Sequence, residues 1–432
     1  MKPLTRYYVR SRQRSNQSKV SAWSPTASFT TKDGMISGTE VQKLLASDGK
    51  ATDYFGWSLA ISNDGTTALV GAYMTDDTAS NSGSVYVYTR VGTTWVYQTE
   101  LHAGDPQATD YFGYSVALSA DGNVAAVGAY MEDQGGSNAG AVYIYNRVGT
   151  TWTQFQKFIA SGSTASAYFG YSLSFNSTGT TLLIGAYNAN ATKGQAYLFM
   201  LFAWGWAQLS TLLPNDPVNG VMFGSDVALS ADGLTAFVGA YGVDTGKTDA
   251  GAVYVFSMPD PNNIYWWTQN AKFQAPTVTA KDAFGRCLAL SYDGTVLAVG
   301  AYNTVAGSDT SGSVYIFTKT AGVWTAKYKL TASDRTSGDY FGQSIAINAT
   351  GTALIVGAYA DDNKGTDSGS VYLFKSVDGV WSFVKKITAS DGQATDYFGS
   401  AVAMSGDGMS ALVGAYLEDG KASNAGAVYA FI

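Results

Sequence analysis

Apolar residues come in short runs along this chain, and each run ends at a cluster of Gly, Asn, Asp or Ser. Residues 53–101 show the unit. Asp53-Tyr54-Phe55-Gly56 leads into Trp57-Ser58-Leu59-Ala60-Ile61, whose period of two predicts a strand. Asn63-Asp64-Gly65 predicts a hairpin turn, because Asp-Gly tolerates positive φ. Ala68-Leu69-Val70-Gly71-Ala72-Tyr73 reads as a second strand, and a polar loop from Met74 to Ser82 follows. Gly83-Ser84-Val85-Tyr86-Val87-Tyr88 reads as a third strand. Arg90-Val91-Gly92-Thr93-Thr94 turns into the fourth, Trp95 to Leu101.

The unit recurs. Phe-Gly begins at Phe55, Phe112, Phe169, Phe223, Phe284, Phe341 and Phe398, and each is followed sixteen residues on by Gly-Ala-Tyr. A fixed period of about 57 residues marks a repeat architecture, because one unit of that size cannot bury its own apolar face. Four antiparallel strands, seven times over, predict an all-β fold: a seven-bladed β-propeller over residues 40–432. The last unit stops at Gly426-Ala427-Val428-Tyr429-Ala430-Phe431-Ile432, one strand short. Val41-Gln42-Lys43-Leu44-Leu45 stands where a fourth strand should, so the N-terminal strand is expected to complete the last blade and remove an open edge. Gly56 and Gly71 are expected where strands of adjacent blades approach closely, with Phe55 and its equivalents packed between blades.

Charge separates the arm from this body. Residues 1–39 carry Lys2, Arg6, Arg10, Arg12, Arg14, Lys19 and Lys32 against Asp33 alone, a balance of +6, which leaves −13 on the rest of a chain whose net charge is −7. The body should repel nucleic acid and anionic membrane; the arm could bind either. The arm has no apolar stretch of the kind a secretory signal needs. Its Arg- and Ser-rich composition suits an organelle leader, a solvated tail, or a basic extended arm that docks on protein or nucleic acid and orders on contact. The docking arm is the reading taken forward.

The Phe-Gly and Gly-Ala-Tyr pattern resembles the FG-GAP repeat of integrin α-subunit propellers and their microbial relatives, across residues 40–432. The resemblance implies a seven-bladed propeller closed by its N-terminal strand, working in adhesion and recognition. Two departures stand out. The family's final Pro is Tyr in all seven units, and the calcium loop of the type Asp-x-Asp-x-Asp-Gly is absent. Turns such as Asn63-Asp64-Gly65 and Ala120-Asp121-Gly122 offer one carboxylate, where calcium wants six to eight oxygens. No cofactor and no metal are therefore expected.

In a four-stranded blade the loops between strands two and three share one end of the ring with the connections between blades. That end collects Asp76, Asp77, Glu132, Asp133, Asp361, Asp362, Glu418 and Asp419, together with the Gly-Ala-Tyr tyrosines, among them Tyr73, Tyr130, Tyr359 and Tyr416. It is the candidate acidic and aromatic face, for a glycan, a cation or a basic partner. Asp caps its own turn and Tyr packs between blades equally well, and that alternative stays open. Blades three to five deviate from the consensus. Excess aromatics at Phe202, Trp204, Trp206, Trp266 and Trp267, placed on outer strands, predict an apolar rim patch for a protein partner. Blade five carries Arg286 and Cys287 where other units have small or polar residues.

One His, His102, and one Cys, Cys287, leave no nucleophile–base pair, disulfide or multi-Cys metal site to build, and no phosphate-binding glycine loop occurs. No apolar run is long enough to span a membrane. The expectation is a non-enzymatic recognition and assembly module, placed on the surface of a virus particle as a decoration or fibre-type protein. The alternatives are a cell-surface adhesin and a scaffold subunit of an intracellular or organellar complex.

Overall fold

The computed structural model describes residues 6–9, 27–30, 34–260, 263–277, 279–303 and 310–432. Seven four-stranded antiparallel sheets form the blades of a propeller. Blade one is Ser58–Ile61, Thr67–Ala72, Ser84–Val91 and Thr94–Leu101, from axis to rim. The next five blades repeat that order along the chain. The seventh takes three strands from the C-terminus and its outer strand, Glu40–Leu44, from the N-terminus, with Leu44 opposite Val428. The expected closure is therefore present.

Burial explains the apolar pattern. Second strands such as Thr67–Ala72 and Ala353–Ala358 are buried on both faces, so their sequences run apolar without alternation. Outer strands such as Thr151–Phe158 keep one face in solvent and alternate. The core lies between blades. Leu69, Val85 and Val87 of blade one pack with Phe112, Val127 and Tyr143 of blade two, and Leu412 and Val428 of blade seven pack with Phe55 and Val70 of blade one. Each repeated Phe is fully buried and meets the third-strand Tyr edge-on, as in Phe55–Tyr86 at 5.2 Å. A Cβ on Gly71 would stand 2.2 Å from the Gly113 carbonyl of the next blade, so only glycine lets the blades close there.

The first hairpin turn of each blade is tied by its own side chains. Ser62 Oγ donates to Asp64 Oδ1 at 2.6 Å, and the same Ser–Asp pair recurs at Ser119–Asp121 and Ser405–Asp407. Asn176 and Asn348 do this work in blades three and six.

In the N-terminal segment Arg6–Val9 pairs antiparallel with Ala27–Thr30. Arg10, Arg12 and Arg14 lie outside the described residues. The chain is tied to the propeller before its closing strand: Ile36 is buried between blades six and seven, and Ser37 N donates to the Ile432 carbonyl at 2.8 Å.

Candidate functional site

The carboxylates of the loop end fall into two kinds. Asp76, Asp133, Asp362 and Asp419 are exposed, and each accepts the backbone N–H five residues on, at 2.7–2.8 Å. Their neighbours Glu132, Asp361 and Glu418 are buried and ion-paired. Lys157 Nζ bridges Glu132 and Asp105 at 2.7 and 2.6 Å; Lys386 bridges Asp361 and Asp334 at 2.7 and 2.8 Å; Lys43 bridges Glu418 and Asp391, both at 2.7 Å. The third-strand tyrosine beneath completes each set, with Tyr143 Oη donating to Asp105 at 2.9 Å and Tyr429 Oη to Asp391 at 2.7 Å. Burial alone would lower the lysine pKa values, but the flanking carboxylates hold Lys43, Lys157 and Lys386 above the ordinary value. This half of the face is thus neutralised from within, an arrangement the sequence reading missed. The signal was there: Lys43, Lys157, Lys272, Lys329 and Lys386 recur at one position of the outer strand.

Blade one breaks the set. Glu100 stands opposite Tyr86, where Lys157 stands opposite Tyr143. Asp48, Asp77 and Glu100 bring one carboxylate oxygen each to within 4.8 Å of one another, the arrangement among the described residues best able to hold a cation. Lys50 Nζ holds Asp77 from outside at 2.7 Å. Glu100 Oε1 is buried without a hydrogen-bond partner, and burial pushes its carboxyl up to about 7. His102 lies beside it, Nε2 to Oε1 at 3.7 Å, with its own pKa lowered by burial.

The tyrosines form a belt at the same end. Tyr302, Tyr340, Tyr359, Tyr397, Tyr416, Tyr54, Tyr73, Tyr111, Tyr130, Tyr168 and Tyr187 follow one another with centroids 5.1–5.8 Å apart, so eleven rings are in continuous contact. All are part-exposed. Gly-Ala-Tyr tyrosines alternate with the tyrosine that precedes each Phe-Gly. The belt breaks in blades four and five, where Met222 and Ala283 replace that second tyrosine.

Inside the belt a cavity of about 400 Å³ runs into the axial channel. Each blade contributes the residue after Phe-Gly to its wall. Blades one to three supply Trp57, Tyr114 and Tyr171; blades four to seven supply Ser225, Arg286, Gln343 and Ser400. Of these seven residues three are aromatic and four polar, and Arg286 is the single cation. Burial pushes the Asp226 carboxyl, also in this wall, up to about 6.

The expected rim patch is smaller than its residue list. Trp206 is buried at 3% exposure against Phe158 and Phe175, because the outer strand of blade three turns that face inward. Trp267 packs against the core of blades three and four, and its Nε1 donates to the Ile264 carbonyl at 3.2 Å. Trp266 and Trp267 precede the outer strand Thr268–Phe273 of blade four and are not part of it. Trp204 stays 73% exposed with Phe202 stacked on it at 5.2 Å, and Trp266 stays 52% exposed. Of four Asn-x-Ser/Thr sites, Asn176 and Asn348 are buried in their turns, Asn190 is exposed, and Asn16 lies outside the described residues.

The chain matches a family model described as FG-GAP repeat seven times, at residues 39–88, 95–145, 152–199, 206–256, 267–317, 324–374 and 381–431. Each match opens in an outer strand or one residue before it and ends in the third strand of the following blade. A search of curated proteins finds no match.

Proposed function

Because the chain belongs to the FG-GAP repeat family, we propose that it is a non-enzymatic protein-interaction module whose tyrosine-belted end is its contact surface. The observation that carries this is the belt itself: eleven part-exposed tyrosines around one mouth of a closed ring. Tyrosine buries a large rigid area at small entropic cost and keeps a hydroxyl for bonding, which is why it concentrates at interface hot spots. Family propellers are typically non-catalytic, and the buried carboxylates Glu132, Asp361 and Glu418 are engaged in lysine bridges that hold loops in place.

The finer reading is a structural protein on the surface of a virus particle. Residues 1–39, basic against an acidic body, would dock the chain on protein, or on nucleic acid, and leave the belted end outward. Exposed Trp204, with part-buried Phe202 stacked on it, would add a second contact at the rim. A cell-surface adhesin shares the same contact surface. No helix among the described residues is long and apolar enough to cross a membrane. Sedimentation of native material with mass spectrometry of the fractions tests the reading. The chain should travel with a large assembly; a free monomer of about the chain's own 45.5 kDa would overturn the module reading.

A further inference from the structure

Blade five departs from the other six at the residue after Phe-Gly and shares with blade four the loss of the belt's second tyrosine. Ala283 leaves a ring out of the tyrosine belt, and Arg286 puts a guanidinium into the channel wall. The guanidinium carbon lies 5.7 Å over the ring of Tyr241. Among the described residues no carboxylate lies within ion-pair distance of Arg286, and no side-chain hydrogen bond is made by it. The nearby acid of the channel wall, Asp226, already accepts Val227 N at 2.9 Å and Leu288 N at 2.6 Å. A planar fork of donors therefore faces a cavity of about 400 Å³ whose mouth includes Tyr359 and Tyr416.

We propose that this channel is a carboxylate site: an acidic side chain of the partner enters through the tyrosine belt and is held by the Arg286 fork. The inference rests on the protein-module reading above. A carboxylate matches the guanidinium edge with two parallel bonds. A phosphate dianion would meet stronger repulsion from Asp226 and from a body of net −13 than a singly charged carboxylate does. Arginine inside a ring of tyrosines is also the pairing that dominates protein interfaces, which favours a protein over a glycan as the source.

The test is calorimetric titration of the whole chain with acetate, N-acetyl-aspartate methylamide, glucuronate and inorganic phosphate at constant ionic strength. Acetate and the blocked aspartate should saturate with Kd on the order of a millimolar, given so few ligand atoms. Phosphate should bind more weakly. Arg286→Gln should weaken acetate at least tenfold, and Arg286→Lys, which keeps the charge without the fork, should lie between. Absence of saturation, or equal affinity in Arg286→Gln, overturns the site. Glucuronate binding without the blocked aspartate overturns the protein source. Should Arg286→Gln fail to fold, the wild-type and Arg286→Lys titrations still decide. The module reading fails separately, by sedimentation as a free monomer, and the titration does not depend on it.

Discussion

At the scale of the residue, Glu100 is the informative exception. Five other blades put lysine at its position, and in three of them that lysine bridges two acids. Glu100 instead adds a third carboxylate to Asp48 and Asp77 and has a buried oxygen without a hydrogen-bond partner. Burial raises its carboxyl from the ordinary 4.5 to about 7 in the folded chain. The folded state thus holds a proton that the unfolded chain has released, so this residue's contribution to stability is full below about pH 4.5 and is lost as pH rises to about 7. Glu100→Gln removes that loss. Its melting temperature should equal the wild type's at about pH 4 and exceed it by several degrees at about pH 8; parallel curves would show that Glu100 titrates normally. Glu100→Lys should raise the alkaline melting point further, by placing an ammonium between Asp48 and Asp77.

At the scale of the element, the unit of stability is a strand-end bridge in which an outer-strand lysine, a loop acid, a connection acid and a third-strand tyrosine meet. In blade two the Glu132 side chain is 1% exposed and Lys157 is its ion-pair partner. Lys157→Met should cost about 3–5 kcal/mol, since it leaves buried charge uncompensated, and adding Glu132→Gln should recover most of that. Urea denaturation measures both; a loss under about 1 kcal/mol for the single variant would show the bridge to be solvent-screened. Strand number, order and hairpin turns were legible in the sequence, because alternation and Asp-Gly turns are local signals. The bridge was not, because its members come from four segments and only the folded blade shows that Lys157 lies across Glu132. The same limit hid the inward turn of Trp206. A bulge between Leu198 and Phe199 shifts the pairing of that outer strand, and a shift of one residue exchanges the faces. The tyrosine belt was half legible. The Gly-Ala-Tyr tyrosines were read, while the second set, Tyr54, Tyr111, Tyr168, Tyr340 and Tyr397, passed unnoticed as part of the Phe-Gly motif.

At the scale of the whole molecule, the family repeat and the blade are out of phase by one strand. Each of the seven matches begins in an outer strand or one residue before it, so the first match, from residue 39, opens on a strand that belongs to blade seven. Closure follows from that offset: the ring is complete only when Glu40–Leu44 pairs with Ala427–Phe431. Deleting residues 1–33 spares this ladder and should leave the melting temperature within about 3 °C of the full chain. Deleting residues 1–47 exposes the edge of Ala427–Phe431 and opens the packing of Leu44 and Ala46 on Phe55, so cooperative unfolding should be lost or the melting temperature fall by roughly 10 °C or more. The decisive form keeps every residue of the ladder and changes only the order. Ile432 N donates to the Thr39 carbonyl at 3.1 Å, so the end of the third strand lies beside the start of the fourth, as it does in blade one between Val91 and Thr94. A permuted chain that starts after Lys50 and carries residues 34–50 behind Ile432, joined by a short Gly-containing turn, would build blade seven from consecutive strands. If closure alone is what the N-terminal strand supplies, this permutant should melt within a few degrees of the parent while the 1–47 deletion does not. If both variants are equally destabilised, residues 34–47 stabilise the ring through the path by which they enter it, and the ladder is not the cause.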